Sequence, residues 1–279
     1  MSEKLVLIDG HSILNRAFYG VPDLSNSEGL HTNAVYGFLN ILFKLLEEEK
    51  PEYLTVAFDV KAPTFRHEMY PEYKGTRKPM PQELHEQVPV MKQVLHAMGI
   101  RTMEQPGLEA DDILGTLAKR AEKEGMDVSL VSGDRDLLQI ASDKIKIRIP
   151  KTKGARTEVE DYYAADVEAK YGVTPAGFIE LKALMGDTAD NIPGVQRQRT
   201  VETAGNPDHN AGNPGLAQTL RQSRALHAQN FSGALASAIC VFRNKGGRIH
   251  LGGPQCRACR GRRRRMNAAA GLCLNALRK

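Results

Sequence analysis

The acidic side chains of this sequence fall where they can act together. Asp9 closes the run Leu5-Val6-Leu7-Ile8. Asp59 closes Leu54-Thr55-Val56-Ala57-Phe58, and Asp134 follows Val128-Ser129-Leu130-Val131-Ser132-Gly133. Three further sets accompany them. Glu109, Asp111 and Asp112 open a predicted helix, Asp136 stands two residues past Asp134, and Asp187 and Asp190 lie in Gly186-Asp187-Thr188-Ala189-Asp190-Asn191-Ile192-Pro193-Gly194. So many carboxylates in one crevice repel one another unless some stay protonated or cations are bound. Oxygen ligands favour Mg²⁺ or Mn²⁺, whereas His and Cys ligands favour zinc. Two clusters would hold two ions about 4 Å apart, an arrangement suited to in-line displacement at phosphorus. One ion lowers the pKa of an attacking water and the other steadies the leaving oxygen. Each set has a plainer reading too. Acids in a first helical turn complement the helix dipole, Asp134 can be an N-cap, and Asp190 can form an Asx turn before Pro193. The joint pattern favours metal binding.

These acids need a scaffold that brings them to one place. The short, nearly continuous apolar runs before Asp9, Asp59 and Asp134 have the pattern of strands buried on both faces of a parallel sheet. Between them, 33–49, 82–98 and 110–124 carry apolar residues near a 3.6 period and predict helices; residues 158–186 also read as helical. Alternating strands and helices predict an α/β fold, a mostly parallel central sheet flanked by helices. In open sheets of this kind ligands bind outside the carboxyl ends of the strands, which is where the three acids fall. Residues 60–81 interrupt the alternation with four prolines, the cations Arg66, Lys74, Arg77 and Lys78, and the aromatics Phe65, Tyr70 and Tyr73. A cationic track with interleaved aromatics beside a carboxylate site suits single-stranded nucleic acid.

Charge divides the chain in two. Residues 1–195 hold 23 Lys+Arg against 31 Asp+Glu, and residues 196–279 hold 15 against 2. All 8 Tyr lie in the first part and all 4 Cys in the second. The net +5 therefore belongs to the tail and not to the acidic body. No apolar run approaches the roughly 18 residues of a membrane span. The N-terminus lacks the pattern of a signal peptide. A body without Cys fits a cytoplasmic location. His11, His85 and His96 have no partner spacing that calls for a catalytic role.

At these residues the sequence resembles a known family. Ile8-Asp9-Gly10-His11-Ser12, Arg16-Ala17-Phe18, Ala57-Phe58-Asp59, Phe65-Arg66-His67-Glu68, Tyr73-Lys74-Gly75-Thr76-Arg77, Glu109-Ala110-Asp111-Asp112, Ser132-Gly133-Asp134-Arg135-Asp136 and the run Gly186–Gly194 occur in order. Together they closely resemble the 5′–3′ exonuclease domains of bacterial DNA polymerase I, members of the flap endonuclease family, over about residues 3–195. The resemblance implies a 5′ nuclease (PIN-like) fold. It also implies removal of 5′ flaps and RNA primers from DNA, including at nicks, with two Mg²⁺ (or Mn²⁺) ions. It implies that Asp59, Glu109 and Asp111 hold the first ion with Asp9 close by, and that Asp134, Asp136, Asp187 and Asp190 hold the second with Asp112 between or near them. Lys74 would reach the scissile phosphate, Tyr73 would stack on a nucleobase, and Arg16, Arg66 and Arg77 would hold phosphates. Lys74, Asp111 and Asp134 would be the residues closest to the chemistry. Residues 60–81 would form the helical arch over the site, in a protein expected to be monomeric.

After Val195 the resemblance stops. The family's glycine-rich turn and Lys-Thr-Ala helix start, which grip downstream duplex, are missing, as is a polymerase domain. The shift in Arg/Lys usage and the loss of amphipathic period predict that 196–279 form a basic, poorly structured tail translated out of frame. The rival is an authentic tail that binds nucleic acid non-specifically. A catalytically impaired nucleic-acid-binding fragment is the corresponding alternative function. Cys240, Cys256, Cys259 and Cys273 are only loosely spaced like zinc ligands, and zinc is not expected there. A phosphatase of the haloacid dehalogenase type is disfavoured, because Gly10-His11 follows Asp9 where that family needs a second Asp.

Overall fold

The computed structural model of the chain describes residues 2–153, 156–194 and 222–227. The first strand, β1 (Lys4–Asp9), sets the plan, because successive side chains of a strand point to opposite faces. Leu5 and Leu7 enter one hydrophobic layer, and Val6 and Ile8 enter another. A strand covered on both faces belongs in the middle of an α/β sheet. In chain order there follow α1 (Gly10–Gly20), α2 (Asn33–Glu49), β2 (Tyr53–Ala57), α3 (Phe65–Met69), α4 (Gln82–Ala97) and β3 (Arg101–Met103). Then come α5 (Ala110–Lys123), β4 (Asp127–Val131), a 3-10 turn (Asp136–Ile140), β5 (Ile145–Lys153), β6 (Arg156–Tyr162), α6 (Ala164–Tyr171) and α7 (Pro175–Met185).

The strands form one sheet in the order β3-β2-β1-β4-β5-β6. The first five are parallel, and β6 returns antiparallel along β5. From β1 the chain moves outward to β2 and β3, then crosses back to β4 on the other side. Such a reversal opens a crevice at the carboxyl ends of the two strands that flank it, here β1 and β4. α1, α2 and α4 cover one face through Leu14, Phe38, Leu42, Met91 and Leu95. α5, the 3-10 turn, α6 and α7 cover the other through Ile113, Leu114, Leu138, Val167 and Phe178.

The expected α/β sheet is present, with strands and helices where the apolar runs and the 3.6 periods place them. Residues 158–186 differ from expectation. Residues 158–162 belong to the antiparallel strand β6, and helices occupy only 164–171 and 175–185. Acids of β6 find cations on β5: Asp161 pairs with Arg148 opposite it at 2.9 Å, and Glu160 reaches the diagonal Lys151 at 2.5 Å. Within the tail, Gln222–His227 forms a short helical segment whose Ser223, Leu226 and His227 are buried against the body. Those positions share one face at helical spacing, so an amphipathic period does survive in these six residues. Cys240, Cys256, Cys259 and Cys273 lie outside the described residues.

Candidate metal centre

The switch between β1 and β4 places Asp9. Ile8 is in register with Val131, so Asp9 comes to lie beside Ser132. Its Oδ2 accepts from the Ser132 hydroxyl at 2.8 Å, and its Oδ1 caps α1 by accepting from the Ser12 N–H at 3.0 Å. Ser12 Oγ in turn accepts from the Gly133 N–H at 2.8 Å, which joins the ends of β1 and β4. A side chain at Gly10 would put its Cβ 2.4 Å from the Phe58 ring, so the motif needs glycine there. One strand over, Asp59 Oδ1 accepts from the Ala110 N–H at 2.7 Å and so ties the end of β2 to the start of α5. The His11 Nδ1 accepts from the Asp59 N–H at 3.1 Å, a positioning role that the sequence did not reveal.

Asp111 lies in the first turn of α5, among these acids. Its Oδ1 is buried and has no hydrogen-bond partner among the described residues. Burial, with the charges of Asp134, Asp9, Asp59 and Glu109 adding, raises the Asp111 carboxyl well above the usual range. Burial also pushes Asp9 up to about 7, helped by Asp59 and Asp134 and opposed by the bonds from Ser12 and Ser132. These mutual influences bring Asp9, Asp59, Glu109, Asp111 and Asp134 into one electrostatic group.

A second group adjoins it. Asp134 Oδ1 accepts from the Asp136 N–H at 2.8 Å. Burial and the charge of Asp134 push Asp136 up to about 7, against the pull of Lys182. The Lys182 ammonium lies 3.0 Å from Asp136 and 2.8 Å from Asp187. Although burial acts the other way, Lys182 holds the Asp187 carboxyl below its ordinary value. The loop carrying Asp187 and Asp190 is closed by a two-way backbone pair between Asp187 and Ile192. Gly186, at φ +70°, and Gly194 approach so closely there that a Cβ on Gly186 would lie 2.2 Å from the Gly194 nitrogen.

The basic connection folds down onto these acids. Tyr73 is 4% exposed, and its hydroxyl meets Glu109 at 3.1 Å and Asp190 at 3.0 Å. Lys74 Nζ lies 2.7 Å from Glu109, its φ is +57°, and its backbone N–H donates to the Asp190 carbonyl at 2.9 Å. Arg77 pairs with Asp190. Arg16 stands partly buried on α1.

Three of the expected site residues are engaged with the protein itself in this geometry. Arg66, expected at a phosphate, is 3% exposed and forms a two-pronged ion pair with Asp112. Asp112, expected between or near the ions, is wholly buried in that pair and also accepts from the Glu109 N–H at 3.1 Å. A buried guanidinium needs a carboxylate partner, and this one is supplied from the first turn of the neighbouring helix. Tyr73, expected to stack on a base, has its ring packed with Ile192 and Leu226 and edge-on to His67. Lys182 and His227 are site neighbours that the sequence did not single out; the five-residue step from Lys182 to Asp187 across a helix end was the one available signal for Lys182.

The donor set, carboxylate oxygens that include a buried Asp111 Oδ1 without a hydrogen-bond partner among the described residues, fits hard divalent cations. A carboxylate centre at the switch point of a parallel sheet defines a class: an α/β protein built for cation-dependent chemistry. The chain belongs to the 5′–3′ exonuclease, N-terminal resolvase-like domain family, which matches residues 4–172. It is 53% identical to DNA polymerase I of Bacillus subtilis over 193 residues, 69% of this chain and 22% of the relative. It is 51% identical to DNA polymerase I of Geobacillus stearothermophilus over 195 residues, 70% of this chain and 22% of the relative. The chain thus spans about a fifth of the length of these relatives. Its fold is similar to that of a bacteriophage T5 5′-exonuclease with bound zinc ions, at TM-score 0.58 and 25% identity over 82% of this chain and 88% of that one. It is also similar to a T5 flap endonuclease in complex with DNA and metal ions, at TM-score 0.58 and 21% identity over 99% of this chain and all of that one. Among the described residues no helix is long and apolar enough to cross a membrane.

Proposed function

We propose that this chain is a structure-specific 5′–3′ exonuclease and flap endonuclease that hydrolyses phosphodiester bonds of DNA and RNA primers. The observation that carries the proposal is the buried, unpartnered Asp111 oxygen within a group of acids at the β1/β4 switch point. Asp59, Glu109 and Asp111, with Asp9 beside them, would hold one Mg²⁺ or Mn²⁺. Asp134, Asp136, Asp187 and Asp190 would hold a second. When bound, such ions supply an activated water and stabilise charge on the leaving oxygen.

The chain's own residues prepare the site for that cargo. Ser12 and Ser132 fix the rotamer of Asp9, and Ala110 fixes that of Asp59. Tyr73 bridges Glu109 and Asp190, so the two carboxylate groups are held at a set spacing. Lys74 and Arg77 now pair with carboxylates and are the cations that a phosphodiester would meet beside them. Arg66 is a positioning residue through Asp112 and Glu109. Flaps, nicks and RNA primers are the substrates proposed, on the 5′–3′ exonuclease family match.

A second reading, an impaired nucleic-acid-binding fragment, rests on the missing glycine-rich turn after Val195. A 5′-flap duplex incubated with the full chain in Mg²⁺ or in chelator separates the two. Mg²⁺-dependent release of the flap supports the nuclease, and binding without release supports the fragment.

A further inference from the structure

We propose that His227 adds a nitrogen ligand to Asp136 and Asp187, making that position a site for a borderline transition cation, Co²⁺ or Zn²⁺, in preference to Mg²⁺. This rests on the reading above that Asp136 and Asp187 belong to the second ion site. His227 comes from the helical segment 222–227, which no motif of the body includes. A ring nitrogen of His227 and one oxygen from each of Asp136 and Asp187 all lie within 4.8 Å of one another.

Three observations support this role for the ring. His227 is 3% exposed, so its imidazole lies inside the protein next to two carboxylates. Its Nδ1 is 2.8 Å from the Ser223 carbonyl, which only an Nδ1–H can satisfy, and this fixes the tautomer with the lone pair on Nε2. Nε2 is buried and has no hydrogen-bond partner among the described residues. A carbonyl behind one ring nitrogen is the usual way a metal-binding histidine is oriented.

The segment that carries the ring is anchored at both ends. The Gln139 side chain donates to the His227 carbonyl at 3.1 Å, and the Ser223 hydroxyl donates to the Ala183 carbonyl at 3.1 Å. Arg66 Nε donates to the Leu226 carbonyl at 3.0 Å. Lys182 holds the same two carboxylates, so a divalent ion would take its place there. Two carboxylates and one imidazole make a mixed O/N set with three protein ligands. Imidazole favours Co²⁺ or Zn²⁺ over Mg²⁺, which prefers oxygen and retains its waters; Mn²⁺ accepts oxygen and imidazole alike and serves as the paramagnetic probe.

Pulsed EPR of the full chain loaded with Mn²⁺ tests this, because a directly bound imidazole gives a ¹⁴N modulation. The modulation is expected in the unaltered chain and in His11→Ala, and absent in His227→Gln and His227→Ala. The Gln variant keeps size and polarity if the Ala variant does not fold. In parallel, Zn²⁺ affinity should fall about tenfold or more in the His227 variants while Mg²⁺ affinity holds. Bound Mn²⁺ without ¹⁴N modulation, or modulation that survives in both His227 variants, overturns the inference and leaves the carboxylate sites standing. Failure to bind Mn²⁺ at all overturns both readings.

Discussion

Arg66 grips Asp112 through two parallel hydrogen bonds of 2.8 and 2.9 Å, with both side chains buried. The pair joins the basic connection to the first turn of α5. It also holds Glu109, which lies 3.5 Å from the same guanidinium and whose backbone N–H donates to Asp112. In this structure the pair thus braces Glu109 from behind.

Arg66→Ala would take the guanidinium away from the buried Asp112 carboxylate. The loss should be about 3–5 kcal/mol of stability, seen as a lower denaturant midpoint. Arg66→Lys should recover only part of it, since an ammonium cannot form the two-pronged pair. An unchanged midpoint for Arg66→Ala would show that the brace is not needed.

Lys74 is held in the left-handed region at φ +57°, with its ammonium on Glu109. That conformation is uncommon for a residue with a side chain and recurs at functional sites. Lys74→Ala should slow cleavage at saturating flap substrate by about 100-fold or more, with DNA affinity changed much less. Equal turnover in the variant would remove Lys74 from the chemistry.

Away from the site, Glu49 is buried among Lys4, Lys146, Arg148 and Ser129. Burial alone would raise its carboxyl, but bonds from Lys146, Lys4 and Ser129 hold it down at about 2. A carboxyl lower in the folded than the unfolded state contributes stability above its unfolded value. That contribution fades as pH falls from about 4.5 toward 2. Acid titrations of unfolding should show that loss, and Glu49→Gln should flatten it. A slope unchanged by the substitution would contradict the role.

Much of this was legible in the sequence. Apolar runs ending at Asp9, Asp59 and Asp134 placed three strand ends, because strands buried on both faces leave little choice of residue. Side-chain direction was less legible. Lys74 and Arg77 lie beside acids, but no pattern tells that Arg66 turns inward. Residues 158–162 read as helix because the cross-strand partners that make them a strand, Arg148 and Lys151, lie in β5. β5 itself alternates Ile145, Ile147 and Ile149 with Lys146 and Arg148, a period-2 signal that was available.

The tail bears its own test. If 196–279 are out of frame, one of the other two frames beyond codon 195 should encode a glycine-rich turn followed by Lys-Thr-Ala. If neither frame does, the basic tail is authentic, and the packing of Ser223, Leu226 and His227 on the body belongs to its native design.

Asp111 bears most directly on the proposed ion site, since its Oδ1 is buried among like charges with no hydrogen-bond partner among the described residues. The measurement is the single-turnover rate of 5′-flap cleavage in Mg²⁺ for the full chain and for Asp111→Asn. The amide removes the charge at nearly constant shape. It should lower the rate by about 1,000-fold, equivalent to ~4 kcal/mol of barrier, with thermal stability unchanged or raised. A variant that retains Mg²⁺-dependent cleavage at the original rate would contradict the account.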